Sequence, residues 1–261
     1  MENIIDLQRY PLERPGSLEW SRLVEACKDQ LAENGLFNLP DFLAPGIANR
    51  AASEVKPILE DSAFAHVRVH NIYFKRSIDG LDNDHPALTR FQTTNHTICA
   101  DQMGTNMMIQ LYEWPPFAAF LSAVMDKPTL HTMADPLARV NVMAYRDGEA
   151  LNWHFDRSEF TTTLLLQAPE RGGVFEYAQD LRSDNDPNYE GVANLLTGQH
   201  QTTLMPLEAG TLNVFKGKNT AHRVTPVEGN EDRIIAVFSY YEKPGVMFSE
   251  EERVGFYGRI N

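Results

Sequence analysis

The sequence predicts a mainly β fold: a sandwich or barrel core with helices gathered in the N-terminal part. Three observations predict it. Helical apolar spacing dominates the chain as far as about residue 133. From Ala134 onward, short runs rich in Val, Thr and Leu follow one another, separated by turn residues at regular intervals. The length of 261 residues, 43% of them hydrophobic, is enough for one such unit with a sizeable core. We therefore read 1–261 as a single domain, with a helical part over about 1–133, a β core over about 134–241 and a C-terminal segment over 242–261.

Ser17-Leu18-Glu19-Trp20 starts the first helix, which Leu23, Cys27 and Leu31 carry forward and Gly35 stops. Gly35 to Leu43 reads as a short strand in which Pro40 marks the end or an edge. Ala44 to Leu59 reads as a second helix, with Pro45 in its first turn. His66 to Phe74 alternates as a strand does, and Arg76 to Pro86 is a polar loop with Gly80 and several aspartates. Asp101 to Met125 returns to helical spacing, interrupted at Pro115-Pro116.

The β series begins with Val140 to Tyr145 and the turn Arg146-Asp147-Gly148-Glu149. It continues with Thr161 to Gln167, Val174 to Tyr177 after Gly172-Gly173, Thr202 to Met205, Gly210 to Phe215, Arg223 to Val227 and Arg233 to Tyr241. Gln179 to Gln201 interrupts the series. It is polar and long for a hairpin loop, so it is either a lid over a site or a mobile surface insertion.

A formal net charge of −13 argues against nucleic acid and anionic lipid as partners and leaves a small-molecule substrate open. Two cysteines make neither a disulfide framework nor a Cys-rich zinc site. No targeting segment and no run of membrane-spanning length is present in the sequence, so the expectation is a cytoplasmic protein without a membrane partner. The oligomeric state is not fixed by the sequence.

The chemistry concentrates at Asn152-Trp153-His154-Phe155-Asp156. At the end of a strand, His154 and Asp156 point to one face and can chelate one ion. His222, 66 positions after Asp156, supplies the third candidate ligand. Two imidazoles and one carboxylate make the facial triad of non-haem Fe(II) oxygenases, which leaves positions open for a cosubstrate and O2. Zinc accepts the same donors, and the three residues alone do not separate the two metals.

The surroundings do more. Val140 to Asp156 (VNVMAYRDGEALNWHFD) and the stretch GTLNVFKGKNTAHRVTPVEGNEDRIIAVFSYYE resemble the two ligand regions of the Fe(II)- and 2-oxoglutarate-dependent oxygenases, over the 108 residues from Ala134 to Tyr241. The resemblance implies a double-stranded β-helix core of jelly-roll or cupin-like form, with Fe(II), 2-oxoglutarate and O2 as cofactor and cosubstrates. It implies His154, Asp156 and His222 as catalytic metal ligands. It places Arg233, 11 positions after His222, as the anchor of the far carboxylate of 2-oxoglutarate; an Arg fork suits a carboxylate and keeps its charge. Ser239, Asn141 and Tyr145 are expected to line the same pocket. Trp153 and Phe155 face away from the metal into core, and Arg223 points outward to the surface or an ion pair.

Within that family the chain resembles the branch acting on free amino acids, which includes lysine halogenases and related hydroxylases. The likeness lies in Gly172-Gly173-Val174-Phe175-Glu176-Tyr177, Leu181-Arg182-Ser183 and Phe256-Tyr257-Gly258-Arg259. Halogenating members carry Gly in place of the ligand carboxylate, to make room for chloride; Asp156 therefore implies hydroxylation. The expected reaction is hydroxylation of an unactivated C–H bond in a free amino acid or a derivative. Arg76, Arg90, Arg157 and Tyr257 are candidates for the substrate pocket, and Glu159 lies just past the iron motif. Desaturation or cyclisation at the same site, a zinc hydrolase or isomerase, and a non-catalytic ligand-binding β-barrel are the alternatives.

Overall fold

The computed structural model describes residues 1–261. α1 (Leu18–Asn34) starts where Ser17 accepts a hydrogen bond from the Trp20 N–H, and it ends at Gly35, whose φ of 71° admits the left-handed cap. It leads into β1 (Leu36–Leu39). α2 (Ile47–Ser62) is capped by Gly46, so Pro45 precedes the helix rather than entering its first turn. β2 (Phe64–His70) stops four residues short of Phe74. β3 (Phe91–Cys99) was not expected. Its segment FQTTNHTIC offers no hydrophobic alternation, because its buried Thr93, Asn95 and Thr97 face a polar interior.

α3 (Ala100–Met103), α4 (Met107–Tyr112) and α5 (Pro115–Val124) follow. The helical run is interrupted at the two prolines as expected: α4 ends at Tyr112, and the prolines occupy the first turn of α5, where a missing N–H costs nothing. β4 (His131–Thr132), β5 (Val140–Tyr145), β6 (Leu151–His154), β7 (Thr161–Gln167), β8 (Arg171–Gly172) and β9 (Phe175–Ala178) come next. The segment 179–201 carries a helix, α6 (Tyr189–Leu196), whose Val192 and Leu195 are buried against Trp153, Phe155 and Leu181. A packed helix replaces the expected loop, because Val192, Leu195 and Leu196 recur at helical spacing within an otherwise polar stretch.

β10 (Thr203–Met205), β11 (Leu212–Phe215), β12 (Ala221–Val224), β13 (Val227–Glu228), β14 (Arg233–Phe238), β15 (Tyr240–Tyr241) and α7 (Glu250–Tyr257) complete the chain. His222 therefore lies inside a strand, not ahead of one. The helix α7 occupies the expected C-terminal segment.

Seven strands form one antiparallel sheet in the order β1-β11-β7-β14-β5-β3-β2, and four form a second in the order β10-β9-β12-β6. The N-terminal part supplies both edges of the larger sheet, so it is not helical alone. The outer face of that sheet packs on the helices: Ile234, Ala236 and Phe238 of β14 join Val140, Val142, Phe117 and Phe120 in the main core. The alternate residues Arg233 and Ile235 face the smaller sheet. Two sheets facing each other, with polar side chains between them, make the jelly-roll interior. No helix is long and apolar enough to cross a membrane.

Candidate metal centre

β6 and β12 run antiparallel, and their register sets His154 directly opposite His222. The two rings lie 4.1 Å apart between centroids. Asp156 follows β6 by two residues, and its N–H donates to the Gly217 carbonyl at 3.0 Å, which holds the turn against the loop before β12. The His154 Nε2 lies 3.4 Å from Asp156 Oδ1, and the His222 Nε2 lies 3.4 Å from Oδ2. All three ligand atoms fall within 4.8 Å of one another. Sequence reasoning brought these three residues together, and the structure does the same.

Each imidazole has its other nitrogen engaged. His154 Nδ1 donates to the Asn152 carbonyl at 2.9 Å and His222 Nδ1 to the Thr220 carbonyl at 3.0 Å. That assignment of the Nδ1 proton, made from the carbonyl partners, leaves both Nε2 lone pairs aimed at one point, the arrangement of metal-binding histidines. Burial, and then the neighbouring His222, lowers the pKa of His154 and favours the neutral ligand form. Burial alone would raise Asp156, but His222 and His154 outweigh it and hold the carboxyl well below its usual range.

Two further residues shape the carboxylate, and the sequence reading missed both. The Thr161 hydroxyl donates to Asp156 Oδ2 at 2.5 Å. Gly217 leaves the room the carboxylate fills, for a Cβ there would come within 2.8 Å of Asp156 Cγ. A Thr at a strand start and a Gly in a polar loop carry no local signal of such a role.

Arg233 is 3% exposed and has no carboxylate partner. Its Nε donates to the Gly173 carbonyl at 3.0 Å, and its guanidinium lies 5.8 Å from the centre of the Tyr145 ring. Burial brings its pKa down to about 10. Tyr145 stands opposite Arg233 across β5 and β14, and its buried phenol is pushed up to about 12. Gly173 adopts φ 59°, and an added Cβ would sit 2.7 Å from Pro169 Cγ and 3.0 Å from Arg233 Cδ.

Asn141 faces the same interior two rows along. Its amide donates to the Leu137 carbonyl at 2.9 Å, and its oxygen accepts the Tyr257 hydroxyl at 2.9 Å. Tyr257 of α7 is thereby tied to Asn141 of β5 and buried with Cys99, Met133 and Leu137. Ser239 falls in the break between β14 and β15, where its carbonyl accepts the Tyr112 hydroxyl at 2.7 Å.

Of the other candidates, Arg157 is exposed, pairs with Glu252 of α7 and lies 5.3 Å from the Phe256 ring centre. Glu159 pairs with Lys127 at 2.7 Å on the surface. Arg76 and Arg90 are exposed and make no hydrogen bond or ion pair with the triad; Arg90 reaches the Val69 carbonyl at 3.4 Å. Trp153 and Phe155 face away into a separate cluster, and Arg223 pairs with Glu176 at 2.7 Å, both as the sequence suggested. Phe74 was unforeseen. It adopts φ 56°, a left-handed conformation rare for an aromatic residue, and sets its ring 6.4 Å from that of His154. His70 stacks on it at 4.4 Å.

Comparison with known proteins agrees with this geometry. A 2-oxoglutarate–Fe(II) oxygenase family oxidoreductase from Burkholderia pseudomallei has a similar structure, with TM-score 0.53 and 14% identity, covering 89% of this chain and 94% of that one. The non-heme alpha ketoglutarate dependent epimerase SnoN from nogalamycin biosynthesis gives TM-score 0.57 and 16% identity, over 84% of this chain and 81% of that one. A prolyl-4-hydroxylase from Pseudomonas putida gives TM-score 0.51 and 14% identity, over 83% and 98%. At such identities the likeness establishes the fold. No curated protein matches the sequence. The family model described as Halogenase D matches residues 19–248, a span that holds His154, Asp156, His222 and Arg233. With the match running over most of its length, the chain belongs to the Halogenase D family.

Proposed function

We propose that the protein is an Fe(II)- and 2-oxoglutarate-dependent hydroxylase of an unactivated C–H bond in a small molecule, a free amino acid or a derivative of one, acting in the cytoplasm. The observation that carries this reading is the carboxylate of Asp156, seated between two Nε2 atoms at 3.4 Å each.

The residues present fit the metal. Two imidazoles and an ionised carboxylate on one side of a point match the donor set of non-haem iron(II) and leave the remaining positions open. They fit the cosubstrate too, because Arg233 is a buried guanidinium without an acid, and a buried charge calls for a partner. In this reading His154, Asp156 and His222 hold iron, and Arg233 grips the far carboxylate of 2-oxoglutarate. When bound, iron and 2-oxoglutarate supply the oxidation of substrate by O2, with decarboxylation of the cosubstrate to succinate and CO2. Tyr145 packs beside the Arg233 guanidinium, and the Asn141–Tyr257 pair closes the wall beyond it. Phe74 and His70 cover the His154 side and keep bulk water from the ligands.

The family description favours a second outcome, halogenation. The site itself favours hydroxylation: Thr161 and Gly217 are arranged around a carboxylate, in the place a halide would have to occupy.

The test begins without oxygen. Fe(II) and 2-oxoglutarate added together should give the visible metal-to-ligand charge-transfer band. Admission of O2 with a panel of free amino acids should give succinate and a product heavier by one oxygen, with chloride present or absent. The absence of both band and succinate refutes the reading, and a chlorinated product replaces hydroxylation by the second outcome.

A further inference from the structure

The strand that carries His154 is weakly held by its own sheet. β6 is an edge strand of the smaller sheet, paired on one side only, whereas β12, which carries His222, lies between β9 and β6. β6 is also irregular. Its register against β12 slips between the His222–His154 and Val224–Leu151 pairs, so Asn152 and Trp153 together oppose Arg223.

The larger sheet supplies the missing support, and Asn152 is where it is applied. The Asn152 N–H donates to Thr93 Oγ1 of β3 at 3.0 Å, and its side-chain amide donates to the Gln92 carbonyl at 2.5 Å. One residue earlier in β6, the Ala150 carbonyl accepts the Thr94 N–H at 3.2 Å. The carbonyl of the same Asn152 accepts the His154 Nδ1–H at 2.9 Å. Asn152 thus hangs on β3 and presents its carbonyl to the metal ligand.

Behind Thr93 stands His70 of β2, 5% exposed. Its Nδ1 lies 3.0 Å from the Asn71 carbonyl and its Nε2 2.9 Å from Thr93 Oγ1. A carbonyl only accepts, so Nδ1 carries the proton. Burial lowers the pKa of the ring against the opposing effect of the Asn71 bond, and a neutral ring offers Nε2 as an acceptor. The Thr93 O–H therefore donates to Nε2, and its oxygen is left to accept the Asn152 N–H. Donation then runs one way along the whole chain, from His154 to Asn152, from Asn152 to Thr93, from Thr93 to His70 and from His70 to Asn71. Each bond in such a chain polarises the next.

A second tie joins the same two histidines. The Asn71 carbonyl also accepts the Phe74 N–H at 3.0 Å, which closes the turn that carries Phe74. His70 stacks on the Phe74 ring, which in turn lies T-shaped to His154, and Phe91 meets His70 from another side with centroids 5.1 Å apart. Resting on the metal site as read above, we propose that His70 is a positioning residue for the ligand His154: through Thr93 it fixes Asn152, and thereby the orientation in which the His154 ring meets the metal.

The experiment titrates Mn(II) into the full chain as wild type, His70→Phe, Thr93→Val, the double variant and His70→Gln. His70→Phe keeps a ring against Phe74 and loses both hydrogen bonds; Thr93→Val keeps the shape and loses the hydroxyl. We expect each single change to weaken Mn(II) binding by about 10-fold. The double variant should be within about threefold of the weaker single one, because both changes cut one chain. His70→Gln, whose amide oxygen can take the Thr93 proton in place of Nε2, should recover part of the loss. The anaerobic charge-transfer band of Thr93→Val with Fe(II) and 2-oxoglutarate should be displaced from that of the wild type, since one ligand has turned. A merely structural role predicts a lower Tm of the metal-free variants, with wild-type Mn(II) affinity and an undisplaced band. That result, or losses that add in full in the double variant, overturns the proposal. Should His70→Phe not fold, the affinity and band of Thr93→Val decide it. A wild type that binds no Mn(II) overturns the metal reading and this proposal together, whereas a wild type that binds it no better than Thr93→Val overturns this proposal alone.

Discussion

Replacement of Gly217 by alanine sets a methyl group against the metal-binding carboxylate without touching a ligand. An alanine Cβ would stand 2.8 Å from Asp156 Cγ and 2.9 Å from its Cβ, and closer still to Oδ2, whereas ordinary contact begins at 3.4 Å. The carboxyl group must therefore retreat by at least about 0.6 Å, more than the roughly 0.5 Å within which a site keeps its working geometry. It would also strain the Thr161 hydrogen bond of 2.5 Å. Gly217 does not use a positive φ, so alanine suits its own backbone, and it is the Asp156 side chain from its Cβ outward that has to move. We expect little change in the Tm of the metal-free protein. Metal affinity should fall by about 10–100-fold, the usual cost of disturbing what supports a ligand, or about 1.4–2.7 kcal/mol. Titration of Fe(II) under anaerobic conditions, or of Mn(II) in air, measures it. An affinity equal to that of the wild type would refute the reasoning, because it would mean that the carboxylate at this place does not hold the metal.

Two further outcomes follow from buried charges. Arg233→Met should weaken 2-oxoglutarate binding by about 2–5 kcal/mol, read from the anaerobic charge-transfer band, and leave metal affinity unchanged; equal loss of both would show that Arg233 serves the fold instead. Asp135 tests the anchoring of α7. Burial would raise its carboxyl, but the N–H groups of Ala138, Leu137 and Phe248 and the guanidinium of Arg253 together hold it below its usual range. A carboxylate depressed in the folded state stabilises the fold at every pH above its unfolded value of about 4, and that stability is lost as the pH falls through the lower folded value. The Tm difference between wild type and Asp135→Asn should accordingly be full at neutral pH and close below about pH 4, and a gap independent of pH would exclude this account.

The legible parts of the molecule are those with local chemistry or a strong period. Ser17 and Gly35 announce the ends of α1, and Val140 to Tyr145 is a strand by composition alone. The metal triad was legible because His154 and Asp156 alternate at a strand end and His222 is followed by a basic residue at a fitting distance. β3 was not legible, since a strand that lines a polar pocket replaces its apolar face with Thr93, Asn95 and Thr97. α6 hid in a polar stretch because only three apolar residues mark its buried side. Thr161 and Gly217 act by position around the triad, and position across β7 and the 216–220 loop exists only in the fold. Arg76 and Arg90 illustrate the converse: an arginine in a polar stretch invites a site reading, yet both are exposed and make no hydrogen bond or ion pair with the triad.

The order β1-β11-β7-β14-β5-β3-β2 interleaves the earliest and the latest strands of the chain. During synthesis β1 emerges long before β11, its sole neighbour, and β5 and β7 stay apart until β14 is made between them. The large sheet cannot close until Phe238 has left the ribosome, and Arg233 reaches the pocket only in that last act. High sequence separation of paired strands makes such closure slow and leaves half-built edges exposed in the meantime. The binding pocket and the final folding step are thus one event, so that 2-oxoglutarate or metal present during refolding should raise the yield of the native state more than its rate of formation.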